Sequence, residues 1–245
     1  GTLGIGHTRW ATHGAPSDVN SHPQVSRSGR IAVVHNGIIE NYAELKDFLV
    51  SQGVPFASET DTEVVAQLIE YFYDGDILQA VGRVLHRIEG AYALGIICAD
   101  EPDRLIAVRK DSPLILGLGQ GFNFLASDVT ALIKYTRDVI YLEDGELAEL
   151  TREGVTCFNH LLQPVAKEVS HVDWEIDAAE KGGYEHFMIK EIMEQPAGLR
   201  RAIFPRLRDG EVVLDDFALD DGYIQDLEKI YIVACGSSYH VGMGG

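Results

Sequence analysis

The sequence predicts an α+β fold with largely antiparallel sheets, and three observations carry that expectation. An apolar, β-branched run, Ile31-Ala32-Val33-Val34-His35, reads as a buried strand near the start. Three amphipathic helical patterns follow, between residues 41 and 90. From Ala91 to Asn159 the periodicity changes to short apolar or alternating runs separated by turn dipeptides.

Residues 3–8 read as a short strand leading into Arg9-Trp10-Ala11-Thr12-His13-Gly14, followed by a polar loop with Pro16, Asn20, His22 and Pro23. The strand at 31–35 is expected to stop at Asn36-Gly37, a strong turn signal. Asn41 reads as a helix N-cap with Glu44 completing a capping box; Leu45, Phe48 and Leu49 form the apolar face, and Gly53 ends the helix. Thr60 and Glu63 repeat the capping-box pattern ahead of Val64, Val65, Leu68, Ile69 and Phe72. Leu78, Val81, Val84, Leu85 and Ile88 mark a third helix closed by Gly90. Strands are expected at Tyr92 to Cys98, Leu105 to Val108, Phe122 to Ala126 and Val139 to Leu142, with hairpin turns at Asp144-Gly145 and Glu153-Gly154.

Near residue 165 the composition turns polar and acidic, so 168–205 reads as a linker, with helix over 184–203 interrupted at Pro196. Ile230-Tyr231-Ile232-Val233-Ala234 then reads as a new buried strand opening an α/β domain. The expected organisation is a first domain over 1–167, the linker over 168–205, and the start of a second domain over 206–245. Both ends read as internal, so a fragment of a longer protein is expected.

Composition narrows the function. The 245 residues carry a net charge of -18, and no local basic patch interrupts it, which excludes nucleic acid as an expected partner. No apolar run is long enough to span a bilayer, so no membrane role is expected. Cys98, Cys157 and Cys235 are odd in number and widely spaced, which fits reduced thiols in a cytoplasmic protein.

Four segments carry candidate chemistry. Arg9 offers a planar fork suited to a carboxylate, with Thr12 and His13 close by to orient a polar substrate; a surface Arg beside a core Trp would read the same way. Asn36 and the Gly37 N–H can together hold a developing oxyanion, although Asn-Gly alone reads first as an ordinary tight turn. Asp61 can pair with a substrate ammonium, or simply favour the first turn of a helix through the dipole. Cys235-Gly236-Ser237-Ser238, after a strand and before a helix, suits a phosphate, as it would suit a plain strand-to-helix turn. His7, His13, His22 and His35 lack the spacing of a metal site, so no metal is expected, and no cofactor either.

Taken together, Thr8 to Gly14, Asn20 to Pro23, Val34 to Asn41 and Ser58 to Glu63 closely resemble the class II glutamine amidotransferase domain of the glutamine–fructose-6-phosphate aminotransferase family. Phe122 to Asp128 fits it too. Tyr184 to Pro196 resembles the segment joining that domain to the sugar-isomerase half, and Cys235 to Ser238 resembles the first sugar-phosphate loop of that half. The resemblance implies an N-terminal-nucleophile hydrolase αββα sandwich lacking its first segment, then a linker and the first strand of a sugar-isomerase (SIS) domain. It implies glutamine hydrolysis with ammonia passed to fructose 6-phosphate, giving glucosamine 6-phosphate, in a full-length homodimer.

By the same resemblance Arg9 would bind the glutamine α-carboxylate and Asp61 its α-amino group. Thr12 and His13 would line that pocket, and Trp10 would sit near the ammonia passage. Asn36 and Gly37 would form the oxyanion hole, and Ser237 and Ser238 would touch sugar phosphate. The nucleophilic amino-terminal cysteine would precede residue 1, so these residues alone are expected to be inactive. Another class II amidotransferase, with a different acceptor, and a non-catalytic sugar-phosphate-binding regulator are the rival readings.

Overall fold

The computed structural model describes residues 2–9, 13–173, 181–208, 210–213 and 221–244. The chain divides into two compact units, Gly1–Glu180 and Lys181–Gly245.

In the first unit β1 (Gln24–Val25) and β2 (Ile31–Ile39) lead into three helices, α1 (Tyr42–Ser51), α2 (Asp61–Phe72) and α3 (Ile77–Leu85). The strands β3 (Gly90–Cys98), β4 (Glu101–Lys110), β5 (Ile115–Leu118), β6 (Asn123–Ala126) and β7 (Asp138–Tyr141) follow. The unit closes with β8 (Glu146–Leu150), β9 (Val155–Phe158), β10 (Pro164–Val165) and β11 (Ser170–His171). One sheet has the order β1-β2-β3-β4-β8-β9-β10 and the other β11-β7-β5-β6, with every adjacent pair antiparallel.

The period-2 alternation of the strands sorts the core into layers. Leu94, Ile96 and Cys98 of β3, with Ile106 and Val108 of β4, pack against Leu49, Val65, Leu68, Ile69 and Val81 of the three helices. Their neighbours Ala93, Leu105 and Ala107 point the other way, onto Leu116 and Ile140 of the second sheet and the flanking Leu114 and Leu142. That sheet's outer face is covered by Val129, Leu132 and Ile133, beside a short 3-10 turn. Helix, sheet, sheet and a thin outer cover make the layered sandwich expected of an α+β chain.

Local signals explain the helix boundaries. Thr60 caps α2, its hydroxyl accepting the Glu63 N–H at 3.3 Å, and Asp76 caps α3 by accepting the Leu78 N–H at 2.9 Å. Gly53, at φ +78°, lets the Val54 N–H bond back to the Leu49 carbonyl and its own N–H to Val50, which closes α1.

Several expectations are corrected. Asn36-Gly37 is no turn: β2 runs on to Ile39, with Gly37 paired to Tyr92 and held at φ +123°. The glycine serves close backbone approach, because a Cβ there would lie 2.0 Å from the Ala91 carbonyl oxygen. Asn41 makes no side-chain cap; its amide donates to the Arg87 carbonyl and accepts the Glu89 N–H, tying α1 to β3. Residues 3–8 are extended without strand pairing, although Leu3 and Ile5 pack on the layer between the sheets. β5 lies in a stretch read without a strand.

The stretch expected as a linker contributes β11 to the first unit and α4 (Phe187–Ile203) to the second. α4 passes through Pro196 without interruption. The bond lost there belongs to the Ile192 carbonyl, on a residue that water reaches. The second unit also holds the β12 (Leu207–Arg208) and β13 (Glu211–Val212) hairpin, α5 (Asp221–Gln225) and α6 (Gly236–Gly244). Ile230 to Ala234 is neither strand nor buried: Val233 is 97% exposed. Among the described residues no strand lies beside it, and an extended segment cannot satisfy its own backbone groups.

Candidate active site

The residues singled out in the first 61 positions converge on one place. His35, Asn36 and Gly37 arrive on β2, Asp61 and Thr62 on the first turn of α2, and Arg9 and His13 in the stretch preceding β1. A cavity of about 260 Å³ opens between them, lined by Arg9, His13, Asn36, Gly37 and Asp61, with His22, His35 and Thr60 at its walls. Trp10 and Thr12, the other two residues expected here, lie outside the described residues.

Each group is held by a named contact. The Arg9 Nη2 donates to the carbonyls of His13 (2.7 Å) and Gly14 (3.0 Å), leaving its Nε and Nη1 hydrogens for a ligand. Arg9 itself sits at φ +47°, a left-handed conformation unusual for a residue with a Cβ. Asp61 is 3% exposed; its Oδ2 accepts the Ile39 N–H at 2.8 Å, and its Oδ1 stands 4.0 Å from His13 Nδ1. His35 Nδ1 stands 3.9 Å from Oδ2, and among the described residues no Lys or Arg is bonded to this carboxylate, so the cavity can receive a cationic group at this point.

The walls are tied together from behind. Asn20 accepts the Glu59 N–H at 2.9 Å and donates to the Ala15 carbonyl at 3.0 Å, which fastens the 13–22 loop to the entry of α2. The buried carboxylate of Glu63 accepts the N–H groups of Ala57 (2.9 Å) and Ser58 (2.6 Å) and the Gln67 amide (3.2 Å). Its reach back to 57 and 58, rather than to Thr60, departs from the capping box read in the sequence.

Two imidazoles at the site, His22 and His35, are biased toward the neutral form. Burial, with His7, His35 and Arg9 nearby, pulls His22 down to about 4, Asp61 partly opposing. Burial likewise lowers His35, again against the pull of Asp61, and its Nδ1 lies 2.9 Å from the Thr62 hydroxyl. The sequence assigns His7, His22 and His35 no substrate role of their own; His22 and His35 line the cavity, and His7 supports it through Asn36. Among the described residues no cluster of three or more His, Cys, Asp or Glu could hold a metal ion.

Neither cysteine of the first unit lines this cavity. Cys98 and Cys157 are buried in the two core layers, and Cys157 is pushed up to about 11, chiefly by burial. Cys235 belongs to the second unit, ahead of α6, where Ser237 and an exposed Ser238 occupy the first turn. The strand expected before them is absent. A second cavity of about 640 Å³ lies between the two sheets, mostly apolar, and shares His35 and Asn36 with the first.

A guanidinium fork, a buried carboxylate and an amide on one small cavity suit a free amino acid with a reactive side-chain carbonyl. Residues 7–134 match the family model of the glutamine amidotransferase domain. The chain belongs to that family. The chain is 55% identical over its whole length to a protein of Caldanaerobacter subterraneus subsp. tengcongensis named glutamine–fructose-6-phosphate aminotransferase [isomerizing], and covers 40% of it. It is 54% identical, at the same coverage, to the protein of that name from Clostridium perfringens. The chain therefore spans about two fifths of the length of these curated relatives. Among solved structures it resembles glutamine phosphoribosylpyrophosphate amidotransferase from B. subtilis, with TM-score 0.54 at 25% identity over 64% of this chain and 35% of that one. The fold is accordingly the N-terminal-nucleophile hydrolase sandwich of the class II amidotransferases.

Proposed function

We propose that these residues form the glutamine-binding part of a longer enzyme that hydrolyses glutamine and passes the ammonia to fructose 6-phosphate, yielding glucosamine 6-phosphate and glutamate. The single observation that supports it is the convergence of Arg9, Asn36, Gly37 and Asp61 on one cavity of about 260 Å³. In this reading Arg9 takes the α-carboxylate through its unengaged N–H groups, and Asp61 takes the α-ammonium, which supplies the missing cation. His13, with Thr12, borders the substrate. The Asn36 amide and the Gly37 N–H donate to the oxyanion that forms when the side-chain amide is attacked. Trp10 borders the ammonia route, and Ser237 and Ser238 receive sugar phosphate.

In this reading the attacking thiol is neither Cys98 nor Cys157, which are buried in the core and do not line the cavity. The larger neighbouring cavity also borders Asn36. The sugar acceptor is favoured over the phosphoribosyl one by the curated relatives, whose identity of 54–55% is twice that of the phosphoribosylpyrophosphate enzyme.

The test is calorimetric titration of the complete natural protein and of this chain with L-glutamine, alongside coupled assay of glutamate and glucosamine 6-phosphate. Binding by both that is lost in Asp61→Asn and in Arg9→Gln, with turnover only in the complete protein, is the expected result. Glutamine binding that ignores both substitutions would sink the reading.

A further inference from the structure

We propose that His7 is a positioning residue that sets both halves of the glutamine site at once, orienting the Asn36 amide through one ring nitrogen and the Arg9 backbone through the other. The inference rests on the glutamine reading given above.

The argument is one of proton counting. The Arg9 backbone N–H lies 2.9 Å from His7 Nδ1. A backbone N–H only donates, so Nδ1 is the acceptor and carries no proton. In the neutral ring the proton is then on Nε2, which makes Nε2 a donor. Nε2 lies 2.7 Å from Asn36, so the atom it meets must be the amide oxygen, Oδ1. The Asn36 NH2 is thereby turned away from His7, with its hydrogens available to the cavity. An amide flipped by 180° would place two donors face to face against His7 and present a carbonyl lone pair to a developing negative charge. The His7 tautomer thus decides whether Asn36 stabilises an oxyanion or repels it.

The same ring holds Arg9. That residue sits at φ +47°, a conformation that local structure must impose, and the bond from its N–H to Nδ1 is one such constraint. His22 packs on the His7 ring with centroids 4.7 Å apart, which fixes the ring's plane. One imidazole therefore links the group for the substrate's carboxylate to the group for its reacting carbonyl.

Two substitutions separate the two bonds. In His7→Gln the side-chain NH2 can replace the Nε2 donor but leaves the Arg9 N–H without its acceptor. In His7→Asn the side-chain oxygen can replace the Nδ1 acceptor but no longer reaches Asn36. Glutamate release by the complete natural protein, measured against glutamine concentration, is expected to show a split. His7→Asn lowers kcat about 10- to 100-fold with KM nearly unchanged, since losing one oxyanion donor outright costs about 100- to 1,000-fold. His7→Gln raises KM about tenfold with kcat within a factor of three. Asn36→Ala provides the reference, and the double variant His7→Asn with Asn36→Ala should be no slower than Asn36→Ala alone. Equal changes in kcat and KM for both His7 variants, or multiplying losses in the double variant, would overturn the proposal. If Asn36→Ala itself leaves kcat intact, it is the oxyanion reading that fails, and this proposal falls with it.

Discussion

Gly37→Ala isolates what the tertiary structure demands of one residue. The new Cβ would lie 2.0 Å from the Ala91 carbonyl oxygen, 2.7 Å from the Ala91 carbonyl carbon and 3.0 Å from Tyr92 Cα. All three are backbone atoms of the paired strand, so no side chain can swing aside. Relief requires β2 and β3 to part by about 1 Å at a position where antiparallel strands sit about 4.7–4.9 Å apart. The φ of +123° adds its own cost for an L residue, about 1–2 kcal/mol, and forced overpacking typically costs about 1–3 kcal/mol more. The expected loss is about 2–5 kcal/mol, a large share of an ordinary domain's stability. Gly53→Ala is the control: its φ is +78°, but nothing lies within 4 Å of the added atom. It should lose only the conformational part, about 1–2 kcal/mol. Urea unfolding followed by circular dichroism, with midpoints compared at constant slope, measures both. If Gly37→Ala costs no more than Gly53→Ala, the strand contact is not what selects glycine there, and the reasoning fails.

Three further outcomes are expected. Asp61→Asn keeps an oxygen for the Ile39 N–H but removes the charge, so stability should change little while KM for glutamine in the complete protein rises about 10- to 100-fold, the worth of a charged hydrogen bond; an unchanged KM would remove Asp61 from ammonium binding. Glu63→Gln sets an NH2 against the N–H groups of Ala57 and Ser58 and should cost about 1–3 kcal/mol in thermal unfolding; a cost below about 0.5 kcal/mol would contradict the role of that carboxylate. His22 sits near 4 in the folded chain against 6.5 unfolded, so the unfolded state binds more protons between those values; stability should fall as pH drops from about 6.5 to about 4, and His22→Gln should flatten that slope by on the order of 1–2 kcal/mol once solvent screening is allowed for.

The helices of the first unit were legible because their signals are local. Thr60, the Leu68-Ile69 face and Gly53 act within a few residues of themselves, so the one-dimensional pattern already contains the cap, the buried stripe and the stop. The candidate site was legible only in part. Arg9, Asn36, Gly37 and Asp61 could be named from their types and their likeness to a family, but each alone had an ordinary structural explanation. What raised them to a site was the fold: β2 carries Asn36 and Gly37 to the same end of the sheet at which α2 begins, and the loop holding Arg9 crosses that end.

Other features had no local signal at all. Whether Asn36-Gly37 turns or continues depends on β3 lying alongside, a partner more than 50 residues away, whose Ala91 carbonyl occupies the space that a side chain would need. Whether Ile230 to Ala234 forms a strand likewise depends on neighbours, because strand hydrogen bonds are made between segments and helix hydrogen bonds within one. The sequence by itself thus determined the helices of the first unit and the chemical types at the site. The tertiary structure alone decided the strand through Gly37, the lowered basicity of His22 and His35 and the contact of His7 with Asn36, since each is set by groups brought together from distant parts of the chain.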